Sequence, residues 1–163
     1  MNDLNEDVVA TAEGAELQRV VQLLGGARVL RHELKHPLDA HELLLAGLPG
    51  RALTHLLGQL VFLNRTASVE KAVGMSLRTV QRHKYKYKPA KPLSQEQSGR
   101  IWKFAEILAR ATEVFGSKEE AEQWLERPAM GLDQRRPIDL LATPAGVELV
   151  EDLLTRLEYG VYT

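Results

Sequence analysis

The sequence contains no cysteine, which excludes disulfide bonds and thiolate zinc sites, so the fold must be stabilised by packing. It also has no run near the roughly 20 apolar residues that a membrane-spanning helix needs, and no membrane partner is expected. The first 16 residues contain five acids, no base and no apolar segment typical of a secretory signal. We therefore expect a cytoplasmic protein.

Acidic residues are missing from one further stretch, and there the basic residues are concentrated. Between Arg78 and Lys91 the chain has six bases and no acid, which leaves 15 bases against 22 acids in the rest of the 163 residues. The formal net charge of −1 hides this separation. A positive segment in an otherwise acidic protein favours a local polyanionic partner.

Apolar residues recur at the spacing of an α-helix along most of the chain, and 44% hydrophobic residues are enough for a core. Three buried helix faces are predicted: Leu17, Val20, Val21 and Leu24; Leu53, Leu56, Leu57 and Leu60; and Ile101, Phe104, Ala105 and Leu108. The sequence therefore predicts an all-α fold. Helices are expected near residues 13–24, 39–46, 51–63, 67–73, 77–86, 95–115, 118–126 and 144–159, with a helical turn around Ile138 to Leu141.

Several predicted helix ends carry residues that satisfy otherwise unpaired backbone groups. The predicted starts are Ser94 with Gln97, Ser117 with Glu120, a looser Asp39 with Glu42, and Thr143 before Pro144. Gly116 and Gly160 are plausible helix stops.

His32 to His36 spell HELKH, which fits the H-E-x-x-H pattern of zinc hydrolases. Pro37 follows at once and biases His36 away from the helical region, so the two imidazoles need not share a helix face. We prefer the alternative, a polar helix end with solvated histidines. No G-x-S-x-G motif, glycine-rich phosphate loop or paired carboxylates stand out, and no metal, cofactor or catalytic residue is predicted.

The stretch TASVEKAVGMSLRTVQRHK, from Thr66 to Lys84, has the pattern of a helix-turn-helix. A short helix ends at Val73, the chain turns through Gly74, and Ser76 caps a second helix. The residues predicted to join the two helices are Val69, Val73, Met75 and Val80.

The second helix of this motif is predicted to enter the DNA major groove. Its outward side chains, which can bond base edges or phosphate, are Arg78, Thr79, Gln81 and Arg82. The basic residues that follow are expected to contact the DNA backbone: Lys84, Lys86 and Lys88, with Lys91 beyond them. The alternative is a solvated basic helix. The motif resembles the Xre type, although Glu70 stands where such helices usually have a small residue and His83 where an apolar one is common.

The stretch from Ala121 to Thr163 carries the most specific pattern. Its parts are A-x-x-W-L at Ala121 to Leu125, Pro128, Gly131 with Leu132, RPIDLLATPAG at Arg136 to Gly146, and LEYGVY at Leu157 to Tyr162. This order and spacing resembles the toxin-binding domain of Xre/MbcA/ParS antitoxins. One departure is GLDQRRP, where relatives often have a further glycine after the leucine; it affects only a loop.

The resemblance implies a bacterial antitoxin of the RES–Xre toxin–antitoxin type, which is not an enzyme. Such a type II antitoxin covers the active-site entrance of an NAD-consuming or ADP-ribosylating RES-domain toxin and represses its own operon by binding promoter DNA. It is expected to form a homodimer within a hetero-oligomeric complex. The alternative function is a stand-alone helix-turn-helix transcriptional regulator with no toxin partner.

On this interpretation the chain has three parts. They are an N-terminal helical extension (1–50), an Xre-like DNA-binding and dimerisation domain (51–116), and a small helical toxin-binding domain (117–163).

The end of the chain is predicted to contact the toxin, because it places apolar and aromatic residues on a terminus that is normally polar. The predicted contacts are Arg156, Tyr159, Gly160, Val161, Tyr162 and Thr163. The alternative is a tail folded back onto its own core. Two local features are also predicted, an apolar helix face of Ala121, Trp124 and Leu125 and a local cap or ion pair of Asp139.

Overall fold

The structure, a computed structural model, describes residues 3–76, 78–79 and 91–160, with side chains described from residue 12 onward except at residue 65. The α-helices with described bounds are α1 (Asp3–Leu23), α2 (Gly26–Leu30), α3 (Pro37–Ala46), α4 (Gly50–Gln59), α5 (Ser68–Val73), α6 (Gln95–Phe115), α7 (Lys118–Glu126) and α8 (Pro144–Glu158). Three 3-10 helices lie at Leu63–Arg65, Met130–Leu132 and Pro137–Leu140. No strand occurs in these ranges, which confirms the all-α prediction.

Helix α6 is the centre of the fold and packs against α1, α3, α5, α7 and α8. Its predicted face is buried, since Ile101, Phe104, Ala105 and Leu108 are at most 1% exposed. The other two predicted faces, on α1 and α4, are buried in the same core. Because α6 touches both the N-terminal and the C-terminal helices, one hydrophobic core joins all three predicted parts. The division at residues 50 and 116 stays a prediction.

The predicted caps are present at the ends of the helices in the second half of the chain. Ser94 and Gln97 form a reciprocal capping box at the start of α6, and Gly116 ends that helix in the left-handed region at φ 91°. Ser117 accepts a hydrogen bond from the Glu120 N–H, and Thr143 accepts one from the Gly146 N–H. Helices α6 and α7 have the predicted bounds, and α8 ends one residue earlier than predicted.

The first half of the fold differs from the prediction at several points. Helix α1 begins at Asp3, ten residues early, and contains Gly14 within it. Helix α2 was not predicted; it follows Gly25, whose φ of 103° allows a tight turn that periodicity does not reveal. The predicted helix 51–63 was too long, because α4 ends at Gln59 and the next N–H groups bond to another part of the chain.

Asp39 was predicted as an N-cap, and this was wrong. Helix α3 begins at Pro37, and Asp39 accepts hydrogen bonds from the backbone N–H groups of Lys35 and His36 at 2.8 and 2.9 Å. These bonds lower the pKa of the Asp39 carboxyl below its ordinary value. The carboxylate therefore fixes the chain just before α3.

The predicted helix 77–86 lies almost wholly outside the described residues. Of its members the structure describes only Arg78 and Thr79, which are helical. None of the helices in the described part of the chain is long and apolar enough to cross a membrane.

Candidate interaction surfaces

The helix-turn-helix begins with a short, firmly buried helix. Val69 and Val73 of α5 are fully buried, and Met75 just beyond is 6% exposed. Gly74 ends the helix at φ 72°, and its N–H bonds to the Glu70 carbonyl at 2.9 Å. This confirms the predicted turn. Three of the four residues predicted to join the two helices are buried, and the fourth, Val80, lies outside the described residues.

The predicted cap of the second helix is present. The Thr79 N–H donates to the Ser76 Oγ at 3.2 Å, and the two hydroxyls lie 2.7 Å apart. Arg78 and Thr79 are both exposed, so the structure leaves them accessible to a ligand. The other predicted DNA contacts lie outside the described residues: Gln81, Arg82, Lys84, Lys86 and Lys88.

Arg100 on α6 contacts the turn of the helix-turn-helix, and the sequence did not predict this contact. Its guanidinium donates to the Lys71 carbonyl near the end of α5. The same group lies so close to Gly74 that a Cβ at position 74 would collide with it. Glycine is favoured at position 74 by its left-handed backbone, and a side chain there would displace the Arg100 guanidinium.

Glu122 on α7 was also missed, and it makes a long-range polar contact within the core. Its carboxylate is fully buried and accepts hydrogen bonds from three successive N–H groups, those of Val61, Phe62 and Leu63. A sequence signal exists: Glu122 lies between Ala121 and Leu125, two members of the predicted apolar face of this helix. An acid at a core position indicates a buried partner.

The predicted apolar face of α7 is confirmed. Ala121 and Leu125 are fully buried, and the Trp124 ring lies 5.2 Å from the ring of Phe115, centroid to centroid, at an interplanar angle of 36°. This contact joins the ends of α6 and α7 across the Gly116 break. Helix α7 is thus held against α6 without a flexible linker.

A compact loop follows α7. The Ala129 N–H bonds to the Arg135 carbonyl at 3.0 Å and closes the loop, and Leu132 anchors it in the core. Asp133 and Gln134 adopt left-handed conformations, at φ 52° and 62°, which non-glycine residues seldom do. These two positions lie in the stretch where relatives were expected to have a further glycine, and the backbone here suits one.

The Pro137–Leu140 turn connects the two halves of the molecule. It packs against α5 of the helix-turn-helix and also against α7 and α8. Arg136 and Asp139 form a bidentate ion pair at 2.8 and 2.9 Å across its exposed side, which confirms the predicted local role of Asp139. The hydrogen bond to Asp139 raises the pKa of Arg136.

Helix α8 buries one face and exposes the other. Val147, Val150, Leu153 and Leu154 lie in the core. On the outer side Leu149 is 54% exposed and Tyr159 is 78% exposed. Of the predicted toxin contacts, Arg156 is half-buried and Tyr159 and Gly160 are exposed, while Val161, Tyr162 and Thr163 lie outside the described residues.

Two salt bridges connect α8 to α6. The Lys103 ammonium lies 3.0 Å from Glu151 and 3.3 Å from Glu106. Burial alone would lower the pKa of Lys103, but the hydrogen bonds and negative charges of these two carboxylates raise it. Arg110 bonds to the Thr155 hydroxyl at 2.8 Å and lies 3.8 Å from Glu158. These contacts fix α8 on α6, and the other face of α8 stays exposed to solvent.

The HELKH segment is not helical. Helix α2 ends at Leu30, and His36 has an extended backbone, φ −133° and ψ 155°, as its position before Pro37 predicts. Both histidines are exposed. Among the described residues no group of three or more His, Asp and Glu side chains is placed to hold a metal ion.

The helix-turn-helix and the exposed α8 face, carried on one helical core, define a helix-turn-helix protein with a second helical domain at its C-terminal end. Residues 39–106 match the antitoxin Xre-like helix-turn-helix domain, and residues 110–160 match the antitoxin Xre/MbcA/ParS C-terminal toxin-binding domain. The chain therefore combines an Xre-like helix-turn-helix domain with a C-terminal domain of the Xre/MbcA/ParS toxin-binding type.

Curated relatives agree with this assignment. A protein named Antitoxin Xre from Yersinia enterocolitica is 35% identical over 101 residues, 60% of this chain and 64% of that protein. Proteins of the same name from Photorhabdus laumondii and Pseudomonas putida are 36% and 33% identical over 67 and 69 residues. These two alignments cover 40% and 42% of this chain and 45% and 43% of the relatives. The chain thus spans less than two thirds of the length of each of these relatives.

Proposed function

We propose that this chain is the antitoxin of a type II toxin–antitoxin pair and that it binds a RES-domain toxin. In this proposal the toxin consumes NAD or transfers ADP-ribose from it, and the antitoxin covers the entrance to its active site. Inhibition is by binding alone, so no residue of the chain is assigned a catalytic role and no cofactor is needed.

The observation that supports this proposal best is the exposed side of α8, within the stretch that the toxin-binding model matches. Leu149, Arg156 and Tyr159 are seven and three residues apart, so they lie along one side of the helix. Leu149 and Tyr159 expose most of their surface there, and Tyr and Arg are the residues that most often anchor protein interfaces. The predicted contact Gly160 continues this surface toward the end of the chain.

The experiment is co-expression with the neighbouring gene, if that gene encodes a RES-like enzyme, followed by measurement of cellular NAD. The full chain should preserve NAD, and a chain that lacks residues 160–163 should preserve less. Circular dichroism of the shortened chain serves as the control for folding. If NAD falls equally with and without the full chain, the proposed inhibition is wrong.

We also propose that the chain represses its own operon as a homodimer, through the helix-turn-helix. The exposed Arg78 and Thr79 at the start of the capped second helix support base contacts, and the basic residues from Arg82 onward support phosphate contacts. Binding of a promoter duplex, with light scattering for the oligomeric state, tests this part. Promoter binding without any inhibition of the neighbouring enzyme would favour the stand-alone regulator.

A further inference from the structure

The contact between Glu122 and residues 61–63 joins two regions that are about 60 residues apart in sequence. Oε1 of Glu122 accepts from the N–H groups of Val61, Phe62 and Leu63 at 3.0, 3.1 and 3.0 Å. Oε2 accepts from Val61 as well, at 2.8 Å. Three consecutive N–H groups thus converge on one carboxylate.

Each partner of this contact satisfies the hydrogen-bonding groups of the other. Glu122 is 0% exposed, and a buried carboxylate is very unfavourable unless hydrogen bonds compensate for the lost water. The three N–H groups follow the end of α4 at Gln59 and have lost the regular helical pattern of bonding. The carboxylate replaces that pattern, so the contact holds the chain where it leaves α4.

The chain segment held in this way leads into the helix-turn-helix. Residues 61–63 run into the Leu63–Arg65 turn, and α5 begins three residues later at Ser68. On its other side α5 packs against the Pro137–Leu140 turn, which also belongs to the C-terminal region. The C-terminal domain therefore supports the first helix of the motif at two places.

We propose that Glu122, a residue of the C-terminal toxin-binding domain, is a positioning residue for DNA binding. It touches no DNA itself; it holds the entry to α5, and through α5 the turn at Gly74 and the cap at Ser76. The inference rests on the proposed DNA-binding function. It extends that function by making promoter affinity depend on a side chain outside the matched helix-turn-helix domain, residues 39–106.

The test compares Glu122→Gln and Glu122→Ala with Glu119→Gln, an exposed glutamate on the same helix. A glutamine can keep the Oε1 contacts but places an NH₂ group against the Val61 N–H, whereas alanine removes every acceptor. Hydrogen exchange of the amides of residues 61–63 should therefore accelerate modestly in the glutamine variant and about tenfold or more in the alanine variant. Glu119→Gln should leave their exchange unchanged.

Affinity for a duplex of the chain's own promoter is measured on the same proteins at a temperature where circular dichroism shows each fully folded. We expect affinity to fall about fivefold or more in Glu122→Ala, less in Glu122→Gln and not at all in Glu119→Gln. The salt dependence of binding should keep its slope, because no phosphate contact is lost. Loss of stability alone would not weaken binding by a fully folded protein.

The outcomes separate the inference from the function on which it rests. If the unaltered chain binds no promoter duplex, DNA binding is wrong, while the exchange data still report on the Glu122 contact. If exchange at residues 61–63 accelerates but promoter affinity stays at the unaltered value, Glu122 does not position the motif. Should the alanine variant fail to fold, the glutamine variant decides: a folded protein with unchanged affinity would overturn the proposal.

Discussion

The hydroxyl of Ser98 on α6 accepts a hydrogen bond from the backbone N–H of Leu48 at 2.8 Å, and both residues are buried. The carbonyl of Leu48 accepts from the Leu93 N–H at 2.9 Å. Both backbone groups of Leu48 are therefore satisfied in the short connection between α3 and α4. The α3–α4 connection is therefore bonded both to α6, at Ser98, and to the residues just before α6, at Leu93.

Replacing Ser98 with alanine should destabilise the fold by about 1 to 3 kcal/mol, because the Leu48 N–H would stay buried without an acceptor. Urea unfolding followed by circular dichroism measures the change. Gln95→Ala, at an exposed position on the same helix, is the control and should change stability by less than about 0.5 kcal/mol. Equal stability of the two variants would mean that the Ser98 hydroxyl is dispensable.

The loop after α7 offers a stabilising change. Gln134 is exposed and has a φ of 62°, a conformation that is unfavourable for glutamine and costs glycine nothing. Gln134→Gly should raise the free energy of unfolding by about 0.5 to 1 kcal/mol, whereas Gln134→Ala should give no gain. A lower melting temperature for the glycine variant would contradict this prediction.

Two glycines in helices predict opposite effects of the same substitution. In α8, a Cβ on Gly146 would overlap the backbone of Leu140, so Gly146→Ala should cost about 1 to 3 kcal/mol. In α6, nothing lies within 4 Å of a Cβ built on Gly99, and Gly99→Ala should stabilise the protein by about 0.5 to 1 kcal/mol through helix propensity. Thermal unfolding of both variants tests the pair, and a shift of the same sign in both would refute it.

The predictions from sequence succeeded where one local pattern determines the structure. The caps at Ser94 and Ser117 fixed the starts of α6 and α7, and periodicity identified their buried faces. The predictions failed where the structure depends on a residue far away in the sequence. For example, the chain that leaves α4 after Gln59 is held by the carboxylate of Glu122, which is more than 60 residues further along the chain.

The same limit applies to the candidate surfaces. The turn at Gly74 and the cap at Ser76 were predictable because both depend on neighbouring residues. The contact of Arg100 with that turn was not, since it depends on how α6 crosses α5. Exposure of Leu149 could not be read from the sequence either, because Leu153 and Leu154 on the same helix are buried.

The α8 surface makes a specific prediction for toxin binding. Tyr159→Ala should weaken binding of the proposed toxin about fivefold or more, because tyrosine is among the residues that most often contribute more than 1 kcal/mol to an interface. Leu149→Ala should weaken it as well, through the apolar area that the interface no longer buries. Titration calorimetry with the purified toxin measures this.

Leu38→Ala is the matched control for the α8 variants, since Leu38 on α3 is 67% exposed and lies outside the matched toxin-binding domain. It should bind the toxin as the unaltered chain does. If all three variants bind equally well, the outer side of α8 is not the contact surface.

The basic segment makes the final prediction, on the salt dependence of promoter binding. Each phosphate contact releases counterions and adds about 0.9 to the slope of log affinity against log salt concentration. Changing Arg82, Lys84 and Lys86 together to glutamine should therefore reduce that slope by as much as about 3. Replacing Arg127, Arg135 and Lys118 by glutamine removes the same charge elsewhere in the chain and should leave the slope nearly unchanged. Fluorescence anisotropy between about 50 and 200 mM salt measures both variants. An equal slope in the two would show that the protein's net charge, and not contact by the basic segment, governs promoter affinity.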